Sequence, residues 1–342
     1  MTGAPHDMSW DDAVLSTQNH PHFMQSHAWA QFKDGSGWTP HDELIRDSSG
    51  KYVLAIQEFT RSAFKLGTLV HAPRVSGITL ENLPLVTEHA KHHPGNNLLA
   101  YKLEPYQATD PALIQAFLDR GWVRSYASQY DFSITVEMGD SAEELFASFS
   151  KHHRRDIRAA ERANPRIERV DFTPENITTA LELIRTTEKR SGAFFRSEEY
   201  LARAWKIFND SGQARLYFTY DDEGPLAAAI VFTFGKKGWY KDGGSRRSKT
   251  LQNGPLLMQW RIIQDLMAEG FTQYELGNIP DPEKRHGHPM EGLYRFKFGF
   301  TQQPIEFMPA FEFPLNSRHK MWNKYETKFL GLYSRTTKDY WY

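Results

Sequence analysis

The chain has 342 residues, 40% hydrophobic and 24% charged, with a formal net charge of −1 and no cysteine. That length exceeds one ordinary core and predicts two domains. The missing cysteines exclude disulfides, thiolate nucleophiles and Cys-based zinc sites, and the near-neutral balance leaves room only for a local nucleic-acid contact. No run reaches the roughly 18 apolar residues of a membrane span. The opening MTGAPHDMSWDDAV has acidic residues and no apolar h-region, so no signal peptide is expected, and a cytoplasmic protein fits.

In chain order, residues 52–60 and 66–73 read as strands, 80–93 as a helix, 97–105 as a strand and 111–121 as a helix stopped by Gly121. Strand material follows in WVRSYASQYDFSITV. Residues 141–165 read as one helix, with Ser141 and Glu144 as a capping box and Asn164-Pro165 as the stop. Lys151, Arg155, Arg158 and Arg162 recur on one face of it. RLYFTYDD and LAAAIVFTFG are strands joined at Glu223-Gly224-Pro225, and KKGWYKDGGS is a turn and a further strand. Residues 255–270 form an amphipathic helix with a Gly stop, and FTQYELGNI is a strand.

The last motif, GLYRFKFGF (292–300), reads either as a strand or as a helix. An internal repeat decides for the helix. LLAYKLEP … ALIQAFLDRGW and QYELGNIP … GLYRFKFGF share the order strand, loop, helix, then Gly followed by an aromatic. Gly299 is then expected in the left-handed conformation with Phe300 folded back onto Tyr294. Lys297 falls in the last turn, where the helix dipole favours a cation. A repeated strand, Gly-aromatic-closed helix and strand is similar to the GNAT acyltransferase fold. The expected class is α/β (α+β), two tandem GNAT-like domains with a substrate groove between them. The first comprises 1–140 plus about 305–342, and the second 141–304.

Segments at 25–33, 150–160, 190–200, 238–247, 253–263, 274–279 and 292–300 resemble, in order and spacing, the FemABX family of aminoacyl-tRNA-dependent peptidoglycan aminoacyltransferases. Only about thirty residues stand where larger members carry a coiled-coil arm, which matches the compact type. YELGNI places Asn278 where the family has a glycine. The resemblance implies transfer of an amino acid from aminoacyl-tRNA to an amine on a peptidoglycan precursor, lipid II or a UDP-linked muropeptide, with no cofactor and no metal, and a monomer is expected.

The resemblance also implies residue roles. Phe296 and Lys297 match the pair that positions the acceptor end of the tRNA and stabilises the tetrahedral intermediate. Lys33 and Arg196 match phosphate ligands for the precursor's diphosphate. Glu104 matches an acidic position proposed as a base; amine binding and a plain turn at Glu-Pro are its alternatives. Trp38 and Tyr200 are pocket walls or core, and Tyr240 and Asp242 are expected along the acceptor channel. Lys151, Arg154, Arg155 and Arg158 form either a solvated face or a tRNA contact. The basic-aromatic C-terminal stretch either packs on the first domain or lies against the inner face of the membrane. His286 and His288 lack supporting metal ligands. A CoA-dependent acetyltransferase would need a Q-x-x-G-x-G/A loop near 247–256, and RSKTLQNGPL has Gln252 and Gly254 at the wrong spacing. A non-catalytic binding module and a different amine acceptor complete the alternatives.

Overall fold

The computed structural model describes residues 8–191, 196–337 and 339–342. The chain folds into two compact units, Met1–Asp131 with Glu306–Tyr342, and Phe132–Ile305. The first begins with helices α1 (Trp10–Thr17) and α2 (His27–Asp34), then strands β1 (Thr39–Arg46), β2 (Tyr52–Ser62) and β3 (Thr68–Val75). Helix α3 (Leu83–Lys91), strand β4 (Leu98–Pro105), helix α4 (Pro111–Asp119) and the short β5 (Val123–Arg124) follow.

The second unit runs β6 (Phe132–Glu137), α5 (Ala142–Ser148), α6 (Lys151–Arg162), β7 (Ile167–Val170), α7 (Pro174–Ser191) and α8 (Glu198–Asp210). It continues with β8 (Ala214–Asp221), β9 (Gly224–Phe234), β10 (Lys237–Ser245), α9 (Gly254–Ala268), β11 (Gln273–Asn278), α10 (Glu291–Phe298) and β12 (Pro304–Glu306). The chain then returns to the first unit with β13 (Phe311–Pro314) and α11 (His319–Thr337).

Among the described residues the first sheet has the order β1-β2-β3-β4-β13-β5 and the second β12-β6-β11-β10-β9-β8-β7. Each contains a parallel pair, β3 with β4 and β10 with β11, among antiparallel neighbours. In each unit the second strand of that pair leads through a loop into a helix closed by Gly-aromatic, Gly121-Trp122 after α4 and Gly299-Phe300 after α10. This is the repeat read from the sequence, as two GNAT-like α/β units. Each has its own core. Leu54, Val70, Leu103 and Trp122 pack in the first, where Phe117 stacks on Phe311 at 4.3 Å. Val136, Ile157, Trp260, Tyr274 and Phe300 pack in the second.

Local chemistry sets the ends. Asp110 accepts from the N–H groups of Ala112 and Leu113 at the start of α4, whose N1 proline needs no partner. Gly121, at φ +86°, closes that helix in the left-handed region. The single helix expected over 141–165 is two. Phe149 is extended (φ −62°, ψ 155°), and Ser150 starts α6 by accepting from the His153 N–H at 3.2 Å. The break lets Phe149 turn into the core, edge-on to Trp260 and Phe300.

The 292–300 motif is helical, but Gly299 is right-handed (φ −72°, ψ −14°). Its glycine is required by approach, not by φ. A Cβ there would fall inside the His153 ring. Phe300 accordingly packs edge-on against His153 at 4.9 Å, while Tyr294 stacks on Phe298 at 5.0 Å.

Candidate active site

β10 and β11 pair in parallel only from Lys237–Trp239 against Gln273–Glu275. Just beyond, both strands slip register on their outer neighbours. β10 slips between Tyr240 and Asp242, and β11 between Glu275 and Gly277. Paired irregularities bend strands apart and re-aim side chains. Lys297 enters at this parting from the last turn of α10. Its ammonium, at 3.9 Å, and the Tyr240 carbonyl, at 3.8 Å, both face the position a Cβ would take on Gly277, which sits at φ +72°.

Lys297 is 5% exposed, and among the described residues its hydrogen bond is to the Asn278 carbonyl, at 2.8 Å. Burial drives its pKa down from 10.5 to about 7, opposed by the Glu275 carboxylate. Glu275 is fully buried and already committed to Lys237 at 2.8 Å and to the Ser133 hydroxyl at 3.0 Å. The fold thus places at the strand fork a lysine that exchanges its proton near neutrality. One carbonyl cannot satisfy three ammonium protons, which leaves donors for a further acceptor. Phe296, one residue back, is half-buried and edge-on to Phe300 at 6.2 Å.

The neighbouring side chains are tied to this element. Tyr240 is pushed up in pKa by burial and by Asp242, so its phenol stays neutral. Asp242 accepts from Trp205 Nε1 at 2.8 Å and pairs with Lys241 at 3.1 Å. Gly243 leaves room for the Tyr240 hydroxyl, which a Cβ there would strike. Arg196 lies over the Tyr200 ring at 4.6 Å, at the capped start of α8. The segment 190–200 that carries it includes residues 192–195, which lie outside the described residues.

The basic face of α6 is exposed at Lys151, Arg155 and Arg158. Arg155 pairs with Asp156 at 2.8 Å, and Arg158 lies over Phe146 at 5.3 Å. Arg154 does not share that freedom: it is half-buried and donates to the Ala147 carbonyl. Sequence reasoning missed His153 inside this charge run. Its Nε2 donates to the Phe296 carbonyl at 2.8 Å, and burial lowers its pKa, so it stays neutral. The signal was available. Phe149, His153, Ile157 and Ala160 share one buried stripe.

The remaining predicted residues, Lys33, Trp38 and Glu104, belong to the first unit, where they form one cluster with Trp29 and His71. The Lys33 ammonium lies over the rings of Trp38 at 5.5 Å and Trp29 at 5.9 Å. Trp38 packs on His71 at 5.6 Å, and His71 Nε2 donates to Glu104 at 3.1 Å. Trp38 is core, not a pocket wall. Its ring meets Trp341 and Tyr342, and its Nε1 donates to the Trp341 carbonyl at 3.2 Å. The C-terminal stretch therefore packs on the first unit. Glu104 is buried, which raises its pKa, but the His71 bond and charge, Lys102 and Ser128 together pull it down to about 2. Such a carboxylate is a weak base at neutral pH. Beneath it, Lys102 is fully buried between Glu312 and Glu326, each at 3.0 Å.

Residues 147–285 match the family model described as an acetyltransferase (GNAT) domain. The crystal structure of FemX superposes with a TM-score of 0.78 at 18% identity, over 93% of this chain and 97% of that one. The fold is that of FemX. A resemblance carried by scattered sequence segments is thus carried by almost the whole backbone. The C-terminal domain of a putative lysylphosphatidylglycerol synthetase from Agrobacterium fabrum also superposes (TM-score 0.52, 14% identity, 94% and 95% covered). So does a tandem GNAT protein from the clavulanic acid biosynthesis pathway (0.50, 11%, 90% and 94%). A search of curated protein sequences finds no match.

Proposed function

We propose that the protein is a compact FemABX-type transferase that moves an amino acid from aminoacyl-tRNA to an amine on the stem peptide of a peptidoglycan precursor. The observation that carries this reading is Lys297, a buried lysine with a pKa of about 7 at the fork of two parallel strands that themselves lie within the acetyltransferase (GNAT) match. An aminoacyl ester is already activated, so the site must align the amine and stabilise the oxyanion. The amine nitrogen attacks the ester carbonyl, a C–N bond forms, and the carbonyl oxygen becomes anionic beside the Lys297 ammonium. As the intermediate collapses, the ester C–O bond breaks and the ribose oxygen takes a proton. The amine gives up one, and a lysine titrating near neutrality can relay between them.

In this reading Phe296 is the surface for the tRNA end, held by the His153 bond to its carbonyl. Lys33, in the first unit, and Arg196, in the second, are each a proposed phosphate ligand, and Tyr200, Tyr240 and Asp242 line the acceptor's path. Glu104, as a fixed anion, suits an ammonium better than it suits proton abstraction. Lys151, Arg155 and Arg158 meet the tRNA backbone. The choice of donor and acceptor rests on the FemABX-like sequence segments, and the FemX likeness supports the fold that they need. The name of the lysylphosphatidylglycerol synthetase relative keeps a different acceptor as the second reading. Against an acyl-CoA donor stands the start of α9. Asn253 is left-handed at φ 59°, and Pro255 removes an N–H that a pyrophosphate would use. The test is incubation with charged tRNA and the UDP-linked muropeptide or lipid II. The aminoacylated adduct supports the reading, and acetyl-CoA turnover without an adduct overturns it.

A further inference from the structure

Helix α11 buries one face and leaves another bare. Trp322 and Glu326 point into the first unit, and Phe329 is half-buried beside Trp341. On the opposite face Lys320, Lys324 and Lys328 recur every fourth residue, with Arg335 in line two turns on, all exposed. Beside them runs a second exposed stripe, Met321, Tyr325 and Leu332, the last 62% exposed. The helix has one acidic residue, Glu326, and it is buried against Lys102. The exposed face is therefore wholly cationic along one edge and apolar along the next.

A second element extends the apolar edge. At the turn between β2 and β3, Phe64 is 71% exposed, although its backbone is held at φ +53°. A bulky side chain in that region is an outlier, and here the ring is left in solvent and not packed into the core. Its ring lies edge-on to Phe329 at 5.5 Å. Phe329 sits one turn from both Tyr325 and Leu332, so Phe64 continues their stripe. Lys65 follows it and is also exposed.

We propose that this face, α11 with the Phe64 turn, docks the protein on an anionic lipid surface. Cations flanking a row of exposed apolar and aromatic side chains are what an interfacial helix needs. Among the described residues no helix is long and apolar enough to cross a membrane, so the contact lies in the interface plane. RNA would use the lysines but would leave Leu332, Met321 and Phe64 without a role. A second copy of the chain would set the four cations against themselves. Docking does not depend on the transferase reading. Only its corollary, that the acceptor is the lipid-linked precursor, rests on it.

The experiment is co-sedimentation of the full chain with phosphatidylcholine vesicles, with and without phosphatidylglycerol, at low and high salt. Salt-sensitive binding to the anionic vesicles alone is expected. Lys324→Glu with Lys328→Glu should lower partitioning about tenfold or more. Phe64→Asn with Leu332→Ser should do so independently, and all four side chains are exposed enough to leave thermal unfolding unchanged. Wild-type partitioning by both double variants, or equal binding to neutral vesicles, overturns the proposal. So does loss of tRNA binding by the lysine variant with vesicle binding intact, which assigns the face to RNA. Transfer to the soluble UDP-linked muropeptide, run without vesicles, tests the transferase reading separately.

Discussion

Replacing Lys297 with methionine should remove activity and add stability. The folded pKa of about 7 lies below the 10.5 of a free lysine. The unfolded chain therefore binds more protons between those values, and stability rises with pH across that window. At pH 7 and below, the displacement corresponds to a cost of about 5 kcal/mol to the folded state. Methionine fills a similar volume without the charge, but it leaves the Asn278 carbonyl without its donor, which costs about 1–3 kcal/mol. The net gain near pH 7 is then about 2–4 kcal/mol, or a rise in the second unit's Tm of about 5 °C or more. By about pH 10 the folded-state lysine is neutral and the unfolded one is close to its own pKa of 10.5, so most of the window has been crossed and the advantage should shrink by about 3–4 kcal/mol. Denaturant unfolding of both proteins at the two pH values reads this directly. A variant less stable than wild type at pH 7, or a difference that does not change with pH, would refute the assignment of a desolvated lysine.

Gly299→Ala should destabilise the second unit by about 2–3 kcal/mol or more, because its methyl meets the His153 ring and the core behind it; chemical denaturation measures the loss. For Glu104→Gln, the folded pKa of about 2 against an unfolded 4.5 corresponds to about 3 kcal/mol, present above about pH 4.5 and lost as pH falls through about 2. The variant should lose most of that stability at neutral pH and show a flatter acid-unfolding profile; matching profiles would count against the ionised assignment. His153→Phe removes the donor to the Phe296 carbonyl, and should lower kcat about tenfold with little change in KM. An unchanged kcat would leave His153 a packing residue only.

The sequence was most legible where a feature is local or repeated. The helical state of GLYRFKFGF follows from the repeat, and the Lys297 position follows from that helix. Gly121 behaves as a local Gly stop should, at φ +86°. Gly299 does not, because its requirement comes from a histidine 146 positions earlier in sequence whose place is fixed only by the packing of α6. The break at Phe149–Ser150 was hidden for a similar reason. Its propensities suit a continuous helix, and tertiary burial of Phe149 overrides them. His153 vanished into a run of charges although its spacing from Phe149 and Ile157 marked it as inward-facing. Distant partners were beyond reading. Nothing local ties Glu104 to His71, or Trp38 to a C-terminal tail some three hundred residues away. That tail is why Trp38 is core.

The central claim is tested most directly by mass analysis of the precursor after incubation with a full set of charged tRNAs. The account predicts a muropeptide heavier by one aminoacyl residue, formed by the wild type and reduced on the order of a hundredfold or more by Lys297→Met. No adduct from any charged tRNA on either lipid II or the UDP-linked muropeptide, with acetyl-CoA consumed instead, would contradict it.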